Sequence, residues 1–197
     1  MVTALLIVDA QLDFTEGGAL GVDGATAAFR RTAEMLAQAQ GEGRLLQEYP
    51  LIVTTQDWHV DPGSHWSEHP DYLASWPVHC RAGSPGAELN PIISAALRTV
   101  PPERLVRITK GEHEAAYSGF EGHDASGTPL AELLHGRGIT AVDVCGIATD
   151  HCVRATALDA VSAGFSVRLL SDQVAAVDPG RGQSTIQELR EAGALIV

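Results

Sequence analysis

The 197-residue chain lacks the features that mark disulfide-stabilised or nucleic-acid-binding proteins. It has only three cysteines, an odd number at unrelated spacings, which argues against a disulfide framework and favours a reducing compartment. Lysine and arginine total 13 against 25 aspartates and glutamates, so the formal net charge is -12. Because nucleic acids and anionic membranes both select clustered basic side chains, neither is an expected partner.

Long apolar runs and targeting signals are missing as well. The first apolar run, from Ala4 to Val8, has no basic flank, is followed at once by Asp9 and is far too short to span a bilayer. No internal repeat, low-complexity tract or linker divides the chain. We therefore expect a cytoplasmic protein whose residues 1–197 form one domain with a substantial core.

Short apolar runs alternate with helix-like segments along the chain. Uninterrupted runs of Val, Ile and Leu are typical of strands that are covered on both faces of a parallel sheet. The order predicts an α/β fold with helices on both faces of that sheet, and it predicts a loop from Gly41 to Pro50. The predicted strands are 4–8, 51–55, 104–109, 141–145, 166–170 and 194–197, and the predicted helices are 25–40, 90–99, 129–135, about 152–164 and 180–192.

Four reactive side chains follow the ends of different predicted strands. They are Asp9, Asp57, Lys110 and Cys152, each within a few residues of a strand's carboxyl end or of the turn that follows it. Ligands of open α/β sheets bind beyond the carboxyl ends of the strands. One such placement is compatible with chance, whereas four indicate a site at this edge.

Cys152 follows the fourth strand and a glycine-containing turn, in the first turn of a predicted helix. Thr149 or Asp150 is a candidate N-cap, and the helix N-terminus favours a thiolate over a thiol. Cys152 is therefore a candidate nucleophile. The alternative is a small buried apolar residue, the commonest role of a free cysteine.

The other strand-end residues suit hydrolysis of an amide or ester through a thioacyl intermediate. Asp9 would take the thiol proton and pass it to the leaving group, and Lys110 would hold that carboxylate and stabilise anionic forms. Backbone N–H groups of Ala148 and Cys152 would bind the oxyanion. Considered singly, Asp9 also fits a turn cap and Lys110 a solvated surface residue, so the prediction rests on their convergence.

A histidine-rich segment from Asp57 onward is a candidate metal site. Asp57, His59, His65 and His79 combine one carboxylate with three imidazoles, a donor set that suits zinc, iron or manganese, and His69 is also available. The Asp-x-His spacing lets two of these ligands project from the same side of an extended segment. The alternative is an ordinary polar surface loop.

Three aromatic residues lie in the loops beside these clusters. Phe14, Trp76 and Tyr117 would form a flat slot for an aromatic substrate, although core packing is the usual role of such side chains. The long irregular segment between Asp57 and Gly86 supports a functional role, since loops of this length in compact domains are usually functional.

Six segments together resemble the motifs of the nicotinamidases, also called pyrazinamidases, within the isochorismatase-like cysteine hydrolases. The likeness runs in order over essentially the whole chain. It implies a six-stranded parallel sheet in a three-layer α/β/α sandwich, and hydrolysis of nicotinamide to nicotinic acid and ammonia for NAD salvage. The segments are Ile7-Val8-Asp9-x-Gln11-x-Asp13-Phe14, Asp57-x-His59-x5-His65, Trp76-Pro77-x-His79-Cys80, Lys110-Gly111, Tyr117-Ser118-Gly119-Phe120 and Gly146-Ile147-Ala148-Thr149-Asp150-His151-Cys152-Val153.

The resemblance also implies roles for individual residues. Asp9, Lys110 and Cys152 would be the catalytic triad. One divalent ion would bind at Asp57, His59, His65 and His79 and contact the ring nitrogen of the substrate. The substrate-binding residues would be Phe14, Trp76, Tyr117, Ala148 and His151, with a cis peptide bond between Ile147 and Ala148.

Two departures from the family pattern and several alternatives remain. Leu12 replaces a more usual polar residue, and the stretch from Gly41 to Pro50 is longer than expected, with no role assigned to it. The nearest alternative is a metal-independent cysteine amidohydrolase acting on a carbamoyl substrate, which would lack the histidine-rich loop. The presence of Cys152 argues against isochorismatase itself, which lacks a nucleophilic cysteine. The complete triad argues against a catalytically silent binding module. A metal-hydroxide hydrolase is a further alternative, which would not need Cys152.

Three properties are left open by the sequence. These are the identity of the metal, the preference among nicotinamide, pyrazinamide and related amides, and the choice between a monomer and a small homo-oligomer.

Overall fold

The computed structural model describes residues Met1 to Val197 and has the expected parallel α/β architecture. The strands are Thr3–Val8 (β1), Leu51–Asp57 (β2), Leu105–Lys110 (β3), Ala141–Ile147 (β4), Ser166–Ala175 (β5) and Leu195–Ile196 (β6). They form one six-stranded sheet in the order β3-β2-β1-β4-β5-β6. Every neighbouring pair is parallel.

Helices cover both faces of this sheet. They are Ala25–Gly41 (α1), Leu45–Glu48 (α2), Pro91–Leu97 (α3), Leu130–Gly136 (α4), Arg154–Ser162 (α5) and Pro179–Glu191 (α6). The first three lie on one face and the last three on the other. The predicted three-layer α/β/α sandwich is therefore confirmed. No helix combines the length and the apolar character needed to cross a membrane.

The central strand β1 contributes side chains to the hydrophobic cores on both faces of the sheet. Its side chains alternate, so that Leu6 and Val8 pack with α4, α5 and α6, whereas Leu5 and Ile7 pack with α1 and α3. All four side chains are fully buried. This two-sided burial is the physical reason for the uninterrupted apolar run in the sequence.

Two local predictions differ from the structure. The predicted loop from Gly41 to Pro50 contains the short helix α2, whose Leu45 is buried in the core and is followed by Tyr49, which donates a 2.6 Å hydrogen bond to Asp143. Strand β5 continues five residues beyond its predicted end at Leu170, because it pairs with β4 again after an irregularity in which Val144 pairs with Leu169 and Gly146 pairs with Val174. The added residues are mostly polar, so no apolar run marked them.

The predicted N-cap at Thr149 or Asp150 is wrong. Thr149–Val153 forms one π-helical turn before α5, and its capping position is Ala148, with no side-chain cap. Asp150 turns away from the helix to accept hydrogen bonds from the loop after β5. Cys152 accordingly lies in this π-helical turn and not in the first turn of α5.

Candidate active site

The four strand-end residues meet at the carboxyl edge of the sheet. Asp9 directly follows β1, while Asp57 and Lys110 are the last residues of β2 and β3 and are register partners. Cys152 reaches the same edge from the π-helical turn that follows β4. Convergence here follows from parallel topology, because all strands of the sheet end on the same side.

Lys110 is the centre of this group and is completely buried. Its Nζ forms an ion pair with Asp57 Oδ1, lies 3.0 Å from Asp9 Oδ2, and donates to the carbonyl of Ala116 at 3.0 Å. The same nitrogen is 3.7 Å from Cys152 Sγ. Burial lowers the pKa of Lys110, but the two carboxylates outweigh burial and raise it well above its usual value, so the side chain stays charged.

Asp9 has the environment of a general base. Its φ of 45° is in the left-handed region, which redirects the chain at the end of β1, and Thr55 Oγ1 donates a 2.6 Å hydrogen bond to Oδ1. The second oxygen, Oδ2, faces Lys110 without a well-aligned hydrogen bond. Burial raises the pKa of Asp9 above its usual value and Lys110 offsets this only in part, so the carboxylate binds a proton more readily than an exposed one.

Cys152 is a buried thiol beside this base. Burial raises its pKa well above the usual value, and the Lys110 cation opposes that effect without cancelling it. Its sulfur lies within 4.8 Å of an Asp9 carboxylate oxygen. The direction of this shift favours the thiol over the thiolate predicted from helix position, so a base that accepts the proton would activate it.

A second cluster lies next to the first. The ring nitrogens of His59, His65 and His79 are buried and lie within 4.8 Å of one another. Asp57 Oδ2 is 3.7 Å from His59 Nε2 and 3.8 Å from His79 Nε2. His69 is exposed and does not belong to this cluster. One carboxylate thus joins the two clusters, since its other oxygen binds Lys110.

The hydrogen bonds around the imidazoles fit a metal ion. His59 Nδ1 donates to the carbonyl of Gly111 and His79 Nδ1 donates to that of Pro77 at 2.7 Å, which leaves the two Nε2 lone pairs free. His59 Nε2 and His65 Nδ1 are buried and have no hydrogen-bond partner. Burial and the neighbouring imidazoles lower the pKa of His65 to about 4, so its ring is neutral and can act as a ligand.

Two supporting side chains were quoted in the sequence motif without a role. Gln11 is fully buried, and its amide clamps the backbone of Asp57: Nε2 donates to the Asp57 carbonyl at 2.8 Å and Oε1 accepts the Asp57 N–H at 2.9 Å. Such a two-way bond fixes the position of a residue that serves both clusters. The sequence signal for a role of Gln11 was its position, because it is a polar residue two positions after Asp9, just beyond the end of a buried strand.

Asp13 links the segments that carry two of the imidazoles. Its Oδ2 accepts the N–H of Cys80 at 2.7 Å, and the carbonyl of Cys80 accepts the N–H of His59 at 3.0 Å. Gly86 packs closely against the Asp13 carboxylate. Any larger residue would clash there, because a Cβ at position 86 would lie 2.2 Å from Asp13 Oδ2. Asp13 therefore fixes the backbone of Cys80, which follows His79 in the chain and is hydrogen-bonded to His59.

A narrow, mostly apolar cavity of about 40 Å³ opens onto both clusters. The five predicted binding residues line it together with Cys152, namely Phe14, Trp76, Tyr117, Ala148 and His151. Trp76 Nε1 donates to the Tyr117 hydroxyl at 3.1 Å, and the His151 ring is stacked on Tyr117 and edge-on to Trp76. The peptide bond between Ile147 and Ala148 is cis, as the resemblance implies.

Known proteins share both this sequence and this fold. The chain is 45% identical over 195 residues to the nicotinamidase/pyrazinamidase of Mycobacterium tuberculosis, covering 98% of this chain and 97% of that protein. The structure of pyrazinamidase of Pyrococcus horikoshii in complex with zinc superimposes with a TM-score of 0.78 at 38% identity, covering 100% of this chain and 99% of that one.

A second solved structure is that of PnC1 from L. infantum in complex with nicotinate. It has a TM-score of 0.75 at 33% identity and covers 100% of this chain and 92% of that one. The family model described as the isochorismatase domain matches residues 3–197. With nearly the whole chain matched in sequence and in fold, this protein belongs to the isochorismatase family.

Proposed function

We propose that the protein is a nicotinamidase, an amidohydrolase that converts nicotinamide, and pyrazinamide-type aromatic amides, to the carboxylic acid and ammonia. The observation that carries the proposal is the meeting of a buried thiol, a raised-pKa carboxylate and a histidine cluster on one narrow aromatic cavity. The relatives named nicotinamidase or pyrazinamidase support the choice of substrate.

The first half of the reaction uses Cys152 and Asp9. Asp9 takes the thiol proton, and the resulting thiolate attacks the amide carbonyl carbon. The N–H groups of Ala148 and Cys152 stabilise the negative charge that develops on the carbonyl oxygen. When the tetrahedral intermediate collapses, protonated Asp9 gives its proton to the leaving nitrogen, ammonia departs and a thioester remains on Cys152.

The second half regenerates the enzyme. Asp9, again ionised, takes a proton from a water molecule, which attacks the thioester carbonyl. The second tetrahedral intermediate releases the carboxylic acid, and Asp9 returns the proton to the sulfur of Cys152. Lys110 stays charged throughout and balances the charges of Asp9 and Asp57 in a site from which water is largely excluded.

The histidine cluster gives the substrate its orientation. A metal ion held by Asp57, His59, His65 and His79 would supply a Lewis acid for the ring nitrogen of the substrate. Trp76 and Phe14 would flank the substrate ring. In this orientation the carboxamide of the substrate would point toward Cys152. A metal-independent amidohydrolase has no use for the unpartnered nitrogens of His59 and His65, so the proposal disfavours that alternative.

The proposal extends to the cellular role. The product nicotinic acid would enter NAD salvage, and a cytoplasmic location suits three cysteines that are all free. The whole chain would act as one hydrolase domain, because a single family model spans residues 3–197.

The test is ammonia release from nicotinamide by the purified protein, with and without exhaustive chelation followed by add-back of zinc, iron or manganese. Cys152→Ala should lower the rate by at least about 10³-fold, because the nucleophile is lost. Cys145→Ala is the matched control, since Cys145 is also buried but lies in β4 away from the cavity.

Each result has a distinct meaning. Loss of activity on chelation, recovery with metal and a dead Cys152→Ala protein support the proposal. Activity that survives chelation would support the alternative of a metal-independent amidohydrolase. Substantial activity in Cys152→Ala would support the metal-hydroxide mechanism. No ammonia from metal-replete protein overturns the nicotinamidase proposal itself.

A further inference from the structure

One part of the cavity wall lies apart from the catalytic groups and comes from the loop between β5 and α6. Val177 of this loop lines the cavity and is 39% exposed, so it stands at the mouth. Leu20 and Val22 complete the apolar rim from the loop that precedes α1.

A buried carboxylate holds Val177 in place. Asp150 has a side chain only 1% exposed, and its two oxygens accept the N–H of Val177 at 2.9 Å and the N–H of Asp178 at 3.0 Å. Arg181 Nε lies 3.4 Å from Asp150 Oδ2 and balances its charge. Because Asp150 is two residues before Cys152, the nucleophile and the cavity rim are joined through one short turn.

The chain next to Val177 is packed closely against neighbouring elements. A Cβ on Gly182 of α6 would lie 2.6 Å from the Cβ of Ala176, so the helix touches the loop directly behind Val177. On the other side, a Cβ on Gly24 would lie 3.5 Å from the Cβ of Ala175, so the end of β5 is in contact with the residue that precedes α1. A substituent on a bound ring that reached the rim would therefore meet a wall that is packed against α6 and hydrogen-bonded to Asp150.

We propose that Val177, held by Asp150, is a specificity-determining residue that limits the enzyme to carboxamides of a single small azine ring without substituents on the carbons facing the rim. This inference rests on the proposed function. Val177 touches the substrate ring, whereas Asp150 is a positioning residue that acts through Val177. Removing one or two methyl groups from such a pocket changes discrimination by about tenfold or more.

The experiment compares kcat/KM for nicotinamide with kcat/KM for 5-methyl- and 6-methylnicotinamide. Val177→Ala should raise the ratio of methylated to unsubstituted substrate at least about tenfold for one of the two isomers, and Val177→Leu should lower it. Val2→Ala is the matched control, because Val2 is 44% exposed and precedes β1 at the opposite edge of the sheet. Its ratio should equal that of the wild type.

Asp150→Asn tests the positioning role. Asp150→Asn should change the ratio of kcat/KM for methylated to unsubstituted nicotinamide in the same direction as Val177→Ala does. The double variant should have the same ratio as Val177→Ala alone. A purely structural role for Asp150 would lower kcat/KM for all substrates equally and leave the ratio unchanged.

Ratios that are unchanged in both Val177 variants, in an enzyme that hydrolyses nicotinamide, overturn the inference. Absence of nicotinamide hydrolysis in the wild-type protein is a failure of the proposed function, which the same assay distinguishes.

Discussion

At the residue scale, Lys110 shows how one side chain can sustain two clusters. It is the only lysine of the chain and is fully buried between Asp9 and Asp57. A buried cation is stable only where opposite charges and hydrogen bonds replace its hydration, and here both are present. The reverse also holds, because the two carboxylates depend on Lys110 for their charge balance.

Lys110→Met should therefore destabilise the fold by about 3–5 kcal/mol at pH 7.5, since it leaves buried carboxylates without their partner. It should also abolish ammonia release. Without the cation, burial and the mutual repulsion of Asp9 and Asp57 hold a carboxyl pKa of the folded state above the unfolded value of about 3.9. The folded variant then binds more protons than its unfolded chain, so the stability deficit should shrink as the pH falls from 7.5 to 5.5.

Urea unfolding of the wild type and the variant across this pH range measures the effect. Arg107→Met is the matched control, because Arg107 is an exposed cation of the same strand β3. A deficit in Lys110→Met that stayed constant or grew as the pH fell would contradict this account.

At the element scale, the site depends on short links between segments that are distant in sequence. Asp13 belongs to a single 3-10 turn after β1, yet its carboxylate reaches the backbone of Cys80 and through it the segment that begins at His59. The helices of the fold contribute little here. The site is built instead from strand ends, from the π-helical turn after β4 and from the irregular connection between β2 and α3.

Asp13→Ala should weaken metal binding by roughly 10–100-fold, the usual effect of removing a group that orients metal ligands. The measurement is competition for zinc against a chromophoric chelator, which reports affinity independently of catalysis. Asp23→Ala, a change at an exposed aspartate just before α1, should leave the affinity unchanged. Equal zinc affinities in Asp13→Ala and wild type would show that Asp13 does not support the metal site.

At the scale of the whole molecule, we expect metal binding and folding to be coupled. The candidate metal ligands span residues 57–79, so an ion would tie the end of β2 to a long segment that has few regular backbone hydrogen bonds. Anything that binds only the folded state stabilises it, by about 2.7 kcal/mol at a free concentration 100 times the Kd.

Removing the metal from the loaded protein should consequently lower Tm by about 5–10 °C, and add-back should restore it. Calorimetry or circular dichroism checks this. His79→Gln should reduce the metal-dependent shift, whereas His69→Gln, at an exposed histidine outside the cluster, should keep it in full. A Tm that is the same with and without metal in the wild type would contradict the coupling.

The sequence alone determined the layered architecture and the edge at which the reactive side chains meet. Strands covered on both faces require continuous apolar runs, and parallel strands end on one side, so Asp9, Asp57 and Lys110 were predictable as neighbours. Loop position singled out Phe14, Trp76 and Tyr117 as a substrate slot, and the motif resemblance added Ala148 and His151 to the substrate-binding residues.

Tertiary structure decided the features that depend on contacts between distant segments. Asp150 was a plausible N-cap by local rules, but the N–H groups of Val177 and Asp178 compete for its carboxylate. Cys152 was expected as a thiolate, but burial, which no local pattern reports, raises its pKa. Hydrogen bonding and desolvation are set by which segments come together, and the fold alone determines that.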